Sequence, residues 1–342
     1  MWTTPTGGWT SAASPLRTTW RVIASHWRVI WAVALGRRYA AVYVPYPAPL
    51  VVFLLSLLPP GRRPKRILLD GFVSIYDTVV NDRKLWRVRA WRSRLLRALE
   101  RRAFSTADLV LVDTPQNADF YAELFRLPRR KFEPLALATN ESDYACQPYR
   151  ATKGRCRVLF IGTLVPLHGV TTIAGAARLL SGRPGIHFRF LGDGVDAAEL
   201  RAGLFGVRNA VWQPRWHSAE ELAQEIGEAD ICLGVFGVTD KTQRVCPYKL
   251  YAYASVGRSI ITGDTEWLRS IEPADGSMPF RAVPVGDSQA LADAILELAD
   301  APAERVRLAR AAHDFYTAHL ANAVSLCAFD ELLGGWTAEG AP

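Results

Sequence analysis

Apolar residues fall along the chain in two successive series. Between Arg38 and Ala138 the runs YAAVYV, RILLD, ADLVLVD and FEPLAL read as strands, and the segments after Pro49, Ser74, Arg83 and Pro115 carry helical spacing. The second series has strand-like runs RVLFIG, IHFRFLG, AVWQ, DICLGVF, SIITG and FRAVPV, with helical patterns near 169–181, 196–205, 218–228, 247–256 and 287–300. Strands without polar alternation, separated by helices, predict parallel sheets covered on both faces. The polar stretch TNESDYACQPYRATKGR reads as a linker between the series, and the residues from Ala301 to Trp336 as two helical patterns with no further strand. The pattern therefore predicts an α/β protein of two Rossmann-like domains, 1–145 and 146–320, with a terminal helix over 321–342. Ligands of such sheets bind at the carboxyl ends of the strands, so the functional cleft is expected between the domains.

Length agrees with this division, since 342 residues exceed what one hydrophobic core usually organises. The five cysteines are scattered, with no C-x-x-C pair and no clustered histidines, which points to a reduced compartment and to no metal site. A net charge of +8, mostly arginine, permits an anionic partner without choosing among nucleotide, phospholipid and nucleic acid. The longest apolar stretch is broken by Pro45, Pro47 and Pro49, and its uninterrupted part is about half of a ~20-residue membrane span. The start has no basic stretch followed by an apolar core, so no signal peptide is expected.

Two segments of the second domain carry candidate chemistry. VLFIGTLVPLHGV is a strand ending at Gly162, a short loop and a helix opening near Gly169, where backbone amides can receive an anion or a sugar hydroxyl; the same pattern also serves plain architecture. In VTDKTQRVCPYKLYAYASVG, Pro247 suits a first helical turn and Gly257 the position just past a helix end, giving a helix over about 247–256. Lys241, Arg244 and Lys249 surround its start, so the loop is either a pyrophosphate site or a solvated basic face.

GTLVPLHGV, LGDG, EADICLGVF, KTQRVCPYKLYAYASVGRSIITGDT and LADAILELADAPAERVRLA, in this order, resemble the carboxy-terminal half of family 4 glycosyltransferases of the GT-B fold, over nearly all of 156–320. LLDGFVSIYDTVVNDRK and ERRAFSTADLVLVDTPQNADFYAELFRLPRRKFEPL resemble the acceptor domain of bacterial members that build cell-surface glycans. The resemblance implies retaining transfer of a sugar from a nucleotide-diphosphate donor to a saccharide or lipid-linked acceptor, with no metal or other cofactor beyond the donor itself. It implies Lys249 and Arg244 as the groups that neutralise the leaving diphosphate. Gly162, Thr163, His168, Gly169, Asp193, Trp216, Lys241, Tyr248 and Ala252 fall at donor-binding positions, and VWQPRWHS brings Trp212, Trp216 and His217 to the strand end where the family places the nucleobase. The sequence departs from the family at Thr163 and His168, where basic residues are common, and at Arg244 and Ala252, where glutamates are common. A methyl group at 252 accepts no ribose hydrogen bond. The second reading is accordingly a catalytically silent GT-B protein, acting as a partner subunit or nucleotide-binding regulator.

In the first domain, Asp70, Ser74, Asp77, Asp82 and Arg83 cluster after the strand RILLD. Asp70 and Asp77 are candidates to orient or deprotonate an acceptor hydroxyl, with Ser74, Asp82 and Arg83 on the acceptor side; each acid or hydroxyl can instead cap a helix. The segment RKLWRVRAWRSRLLRALERRAF sets Val88, Trp91, Leu95 and Leu99 at helical spacing among arginines, either to lie on an anionic membrane surface or to pack on its own domain. The residues before Tyr39 offer a helix but not the strand, glycine loop and helix with which the family begins, so the first domain is expected to lack its first strands. The location implied is cytoplasmic, peripheral on the inner membrane face. No nucleic-acid module is recognised, and no nucleic-acid partner is expected.

Overall fold

A computed structural model describes residues 28, 31–33, 41–46, 49–149, 154–274 and 276–338, with the side chains described to residue 335. Internal packing divides the chain into two compact units, 1–134 and 135–342. The divide falls ahead of the expected 145/146 boundary, because the segment read as a linker is anchored on the second unit. The Leu137 amide donates to the Tyr251 hydroxyl at 3.2 Å, the Thr139 amide to Asn322 at 2.8 Å, and Ser255 to the Tyr144 carbonyl at 2.6 Å.

The first unit is a four-stranded parallel sheet in the order β1 (Ala41–Val44), β2 (Arg66–Asp70), β3 (Leu109–Val112), β4 (Phe132–Pro134). Its helices are α1 (Pro49–Leu55), α2 (Trp91–Thr106) and α3 (Pro115–Phe125), and its core joins Leu55, Ile67, Leu69, Phe104, Val110, Tyr121 and Phe132. The helical pattern after Ser74 is a π-helix over Asp77–Asp82. The one expected after Arg83 begins only at Trp91, since Lys84 takes a left-handed conformation, φ 51°, that interrupts the helix. The expectation about missing first strands falls on residues that lie outside the described ones.

The second unit is a six-stranded parallel sheet in the order β10-β9-β8-β5-β6-β7, where β5 is Cys156–Ile161, β6 Ile186–Leu191, β7 Ala210–Gln213, β8 Ile231–Leu233, β9 Ser259–Gly263 and β10 Arg281–Val283. The order reverses between β5 and β8, the switch point at which doubly wound sheets open a crevice. The helices are α4 (Val170–Leu179), α5 (Ala197–Leu204), α6 (Ala219–Gly227), α7 (Asp240–Arg244), α8 (Tyr248–Val256), α9 (Glu266–Ser270), α10 (Ser288–Asp300), α11 (Pro302–Phe315) and α12 (Asn322–Ala338). Alternate residues of β5 feed the two faces: Val158 and Phe160 pack with Ile173 and Ile295, while Leu159 packs with Leu250 and Tyr253. The short helices α7 and α9 have too few residues for a readable period.

Helix α8 behaves as its sequence predicts. Pro247 stands at its N-cap, Gly257 ends it in the left-handed conformation at φ 77°, and every residue from Lys249 to Val256 is buried, as an apolar helix without a polar face must be.

Much of the positive charge is used internally. Arg258 donates to the carbonyls of Ile226, Gly227, Gln147, Val256 and Gly257 at 2.6–3.2 Å, closing the ends of α6 and α8. Arg305 binds the Ala299 carbonyl at 2.8 Å at the end of α10, Lys131 the Ser105 carbonyl at 2.8 Å at the end of α2, and Arg97 the Leu124 carbonyl at 3.0 Å at the end of α3. Cations satisfy the unpaired carbonyls of helix carboxyl termini and their partial negative charge. Among the described residues, no helix is long and apolar enough to cross a membrane.

Candidate functional site

In the second unit a cavity of about 330 Å³ opens over the ends of β5 and β6 and the start of α8. Gly162, Thr163, His168, Trp216, Tyr248, Lys249 and Ala252 line it. A Cβ at Gly162 would stand 2.9 Å from both Lys249 Nζ and His168 Cε1 and would push these side chains aside.

Lys249 is buried, its Nζ 4.0 Å from the centre of the Phe160 ring and 3.5 Å from the Gly234 carbonyl. Burial lowers its pKa well below the ordinary lysine value. His168 is also buried; its ring meets Phe160 edge-on at 5.7 Å, and its Nδ1 has no hydrogen-bond partner. Burial, and then the neighbouring Lys249, lower its pKa well below that of a free imidazole. Among the described residues no carboxylate lines the cavity, so two nitrogen bases face it without a counter-ion.

The outer wall comes from the loop after β7. Trp216 is 67% exposed at the rim, whereas Trp212 is tied into the core by its Nε1 bond to the Gly192 carbonyl at 2.9 Å and does not line the cavity. Arg215 pairs with Glu221 at 2.7 Å, and Glu221 completes a capping box with Ser218 at the start of α6. His217 is turned inward, with Nε2 buried and without a hydrogen-bond partner and Nδ1 3.6 Å from Glu221. Burial, and then Arg215, lower its pKa. Tyr144 faces Tyr248 edge-on at 6.5 Å and closes the remaining side.

Three of the anticipated donor residues, and Arg244 of the leaving-group pair, lie off this cavity. Gly169, at φ 64°, starts α4 against the backbone of Phe236 and Gly237, where a Cβ would come within 2.5 Å. Asp193 accepts from the Gly194 amide at 2.8 Å. Lys241 and Arg244 sit on α7, Arg244 buried and Lys241 half-buried. Sequence reasoning missed Tyr144, which arrives from the supposed linker and carries no local signal. It also missed Tyr253, which the helical period from Lys249 placed in reach.

In the first unit the predicted cluster separates. Ser74, Asp77 and Asp82 are buried, Asp70 is half-buried and Arg83 exposed. Ser74 donates to Glu100 at 2.7 Å and accepts from the Asp77 amide at 3.0 Å, and Glu100 also receives the amides of Ile75 and Tyr76 at 2.7 and 2.9 Å. Glu100, which the sequence did not single out, thus caps the segment that Ser74 opens; burial raises its pKa against these hydrogen bonds. Asp77 accepts from Asn81 at 3.0 Å. Asp70, at the end of β2, accepts from the Phe72 amide at 3.1 Å and from the Tyr43 hydroxyl at 3.3 Å. On α2 and just before it, Val88, Trp91 and Leu95 are exposed, while Leu99 is half-buried.

Residues 155–301 match the family model described as glycosyl transferases group 1. Among curated proteins no match is found. In structure the chain is similar to sucrose-phosphate synthase from Thermosynechococcus elongatus, with TM-score 0.70 and 16% identity over 97% of this chain and 82% of that one. It is also similar to Anabaena HepE in complex with UDP, with TM-score 0.70 and 11% identity over 93% and 84%. A third likeness is to WaaG, a glycosyltransferase involved in lipopolysaccharide biosynthesis, with TM-score 0.59 and 13% identity over 79% and 78%. The fold is that of the GT-B glycosyltransferases, two Rossmann-like units in one chain.

Proposed function

We propose that this protein is a glycosyltransferase of the retaining family 4 type, moving a sugar from a nucleotide diphosphate to a saccharide or lipid-linked acceptor in cell-surface glycan synthesis. The observation that carries the reading is the cavity over the ends of β5 and β6, where Lys249 and His168 stand across Gly162 and, among the described residues, no carboxylate lines the wall. A diphosphate bound there lies against Lys249, whose ammonium form stabilises the charge that the leaving group gains, and this promotes transfer without a metal. Lys241 and Arg244 on neighbouring α7 add positive charge at the same strand ends. Trp216, exposed at the rim, offers a face for the base. UDP is the first base to test, since HepE is seen with it.

On the acceptor side, Asp70 is the carboxylate left half-exposed at a strand end. The exposed Val88, Trp91 and Leu95 stand among Arg87, Arg89, Arg92 and Arg94, and this surface fits an anionic cytoplasmic membrane face where a lipid-linked acceptor resides. The second reading, a catalytically silent GT-B protein acting as a partner subunit or nucleotide-binding regulator, is favoured by Ala252, whose methyl group lines the cavity where the family resemblance expects a glutamate.

Thermal unfolding against UDP, GDP, ADP and their sugar conjugates tests the donor site. A nucleotide at 100 times its Kd raises stability by about 2.7 kcal/mol and shifts the midpoint visibly. A cooperative transition that no nucleotide moves overturns the transferase reading and favours a silent partner subunit. A shift without sugar transfer to any glycan or lipid-linked acceptor selects the second.

A further inference from the structure

Lys249 differs from the buried Arg258 and Arg305 in that almost nothing satisfies it. Its single carbonyl contact is at the 3.5 Å limit of a hydrogen bond, and its remaining neighbour is the face of Phe160. A cation–π contact does not replace the hydration of an ammonium ion, so an amine in this position is held neutral unless an anion joins it. His168, beside it across Gly162, is likewise buried, with Nδ1 unbonded and aimed at no acid. The other titratable or charged groups around the cavity are Tyr248 and Tyr253 from α8, Tyr144 from the segment before β5, and Arg215 and His217 from the loop after β7. Arg215 is occupied by Glu221, the tyrosine hydroxyls remain neutral, and none supplies a negative charge to Lys249.

We infer that the cavity takes up its anion together with one proton, which lands on Lys249: the empty site holds a neutral amine, and the bound diphosphate holds an ammonium ion. This rests on the proposed nucleotide site and adds to it a coupling that the nucleotide reading alone does not require. The proton comes from solvent, the ammonium–phosphate pair forms inside the cavity, and no covalent bond changes. The depressed pKa of Lys249 in the empty protein agrees with the geometry. An empty site without fixed charge also avoids holding an uncompensated cation in the core between turnovers.

The experiment is calorimetric titration of the full chain with UDP, GDP and ADP at about pH 8.5, in buffers of different ionisation enthalpy, so that the slope of apparent enthalpy reports protons gained. At this pH the nucleotide phosphates are fully ionised and an ordinary lysine is already charged. The expected result is uptake of about one proton, with Kd rising about tenfold per pH unit over the alkaline range, as linkage requires. Uptake persists in His168→Asn and is lost in Lys249→Met. Because Lys249→Met also weakens binding, a second readout needs no ligand: from pH 7 to 9 the midpoint of the empty wild type gains steadily on that of the variant, while the buried Cys156 and Cys232 thiols lower both alike as the unfolded chain's thiols ionise. The sign follows because the unfolded chain holds the lysine proton up to about its ordinary value while the native state does not. Nucleotide binding without proton uptake overturns the inference and leaves the site standing. Failure of every nucleotide to bind overturns the site itself.

Discussion

Arg258 and Lys249 lie at opposite ends of α8, both buried in the second unit and both cations in water. Arg258 is saturated: its guanidinium meets five carbonyls at the ends of α6 and α8 and in the segment before β5. Lys249 has one marginal carbonyl contact and opens on a cavity. The contrast separates two uses of buried charge. A cation whose donors are all consumed by backbone oxygens is architecture, and one left short of acceptors at a cavity is built for a ligand.

Substituting the two residues alike tests the contrast most directly. Arg258→Met leaves several buried helix-end carbonyls without donors and is expected to lower stability by roughly 3–5 kcal/mol, read as a large fall in the urea midpoint. Lys249→Met removes an unsatisfied amine, so the urea midpoint holds or rises, while sugar transfer falls by about 10²–10³-fold through loss of charge at the leaving group. Equal destabilisation by both variants would show that saturation is not what divides them. Normal turnover in Lys249→Met would remove the lysine from the site.

The same contrast explains what the sequence could and could not show. The limits of α8 were legible because Pro247 and Gly257 are local signals, and the period of the helix then set Lys249 and Ala252 on one wall. Whether a cation is saturated depends on carbonyls brought from distant elements, so nothing local marks Arg258 as a clamp or Lys249 as free to act. Tyr144 stayed hidden for a related reason: its segment is polar and loop-like, and only its packing against α8 makes it a cavity wall. In the first unit, Asp70 and Asp77 read as the candidate acids, with Ser74 beside them on the acceptor side. Glu100, 26 residues beyond Ser74, turns Ser74 into part of a buried cap, a long-range pairing that spacing does not encode.

A gain of function sharpens the comparison from the other side. Ala252 lies one helical turn beyond Lys249 and lines the same cavity. Ala252→Glu is expected to tighten nucleotide binding about tenfold if ribose hydroxyls lie against that turn, since a hydrogen bond to a charged acceptor contributes about 1.5–3 kcal/mol. Deoxyribose analogues supply the control and should gain nothing. Unchanged affinity for the ribonucleotide would place the ribose elsewhere.

The smallest effect on stability is expected where charge is neither buried nor saturated. Val88, Trp91 and Leu95 are 58%, 76% and 50% exposed, and Arg92 rests on the Trp86 ring at 4.9 Å. Little native packing is lost when these side chains change, so Trp91→Ser with Leu95→Ser should alter stability by no more than about 0.5 kcal/mol. If the surface instead meets an anionic bilayer, the same double variant loses binding to phosphatidylglycerol-containing vesicles, while neutral vesicles bind neither protein. Charge and apolar area then act together: arginines draw the helix to the headgroups, and Trp91 and Leu95 hold it at the interface. Raising salt should weaken the wild type's vesicle binding as screening shortens the reach of those arginines. Vesicle binding that survives the double variant unchanged would mean that electrostatics alone holds the protein, or that another surface does. A large fall in stability would instead return Trp91 and Leu95 to the folded core.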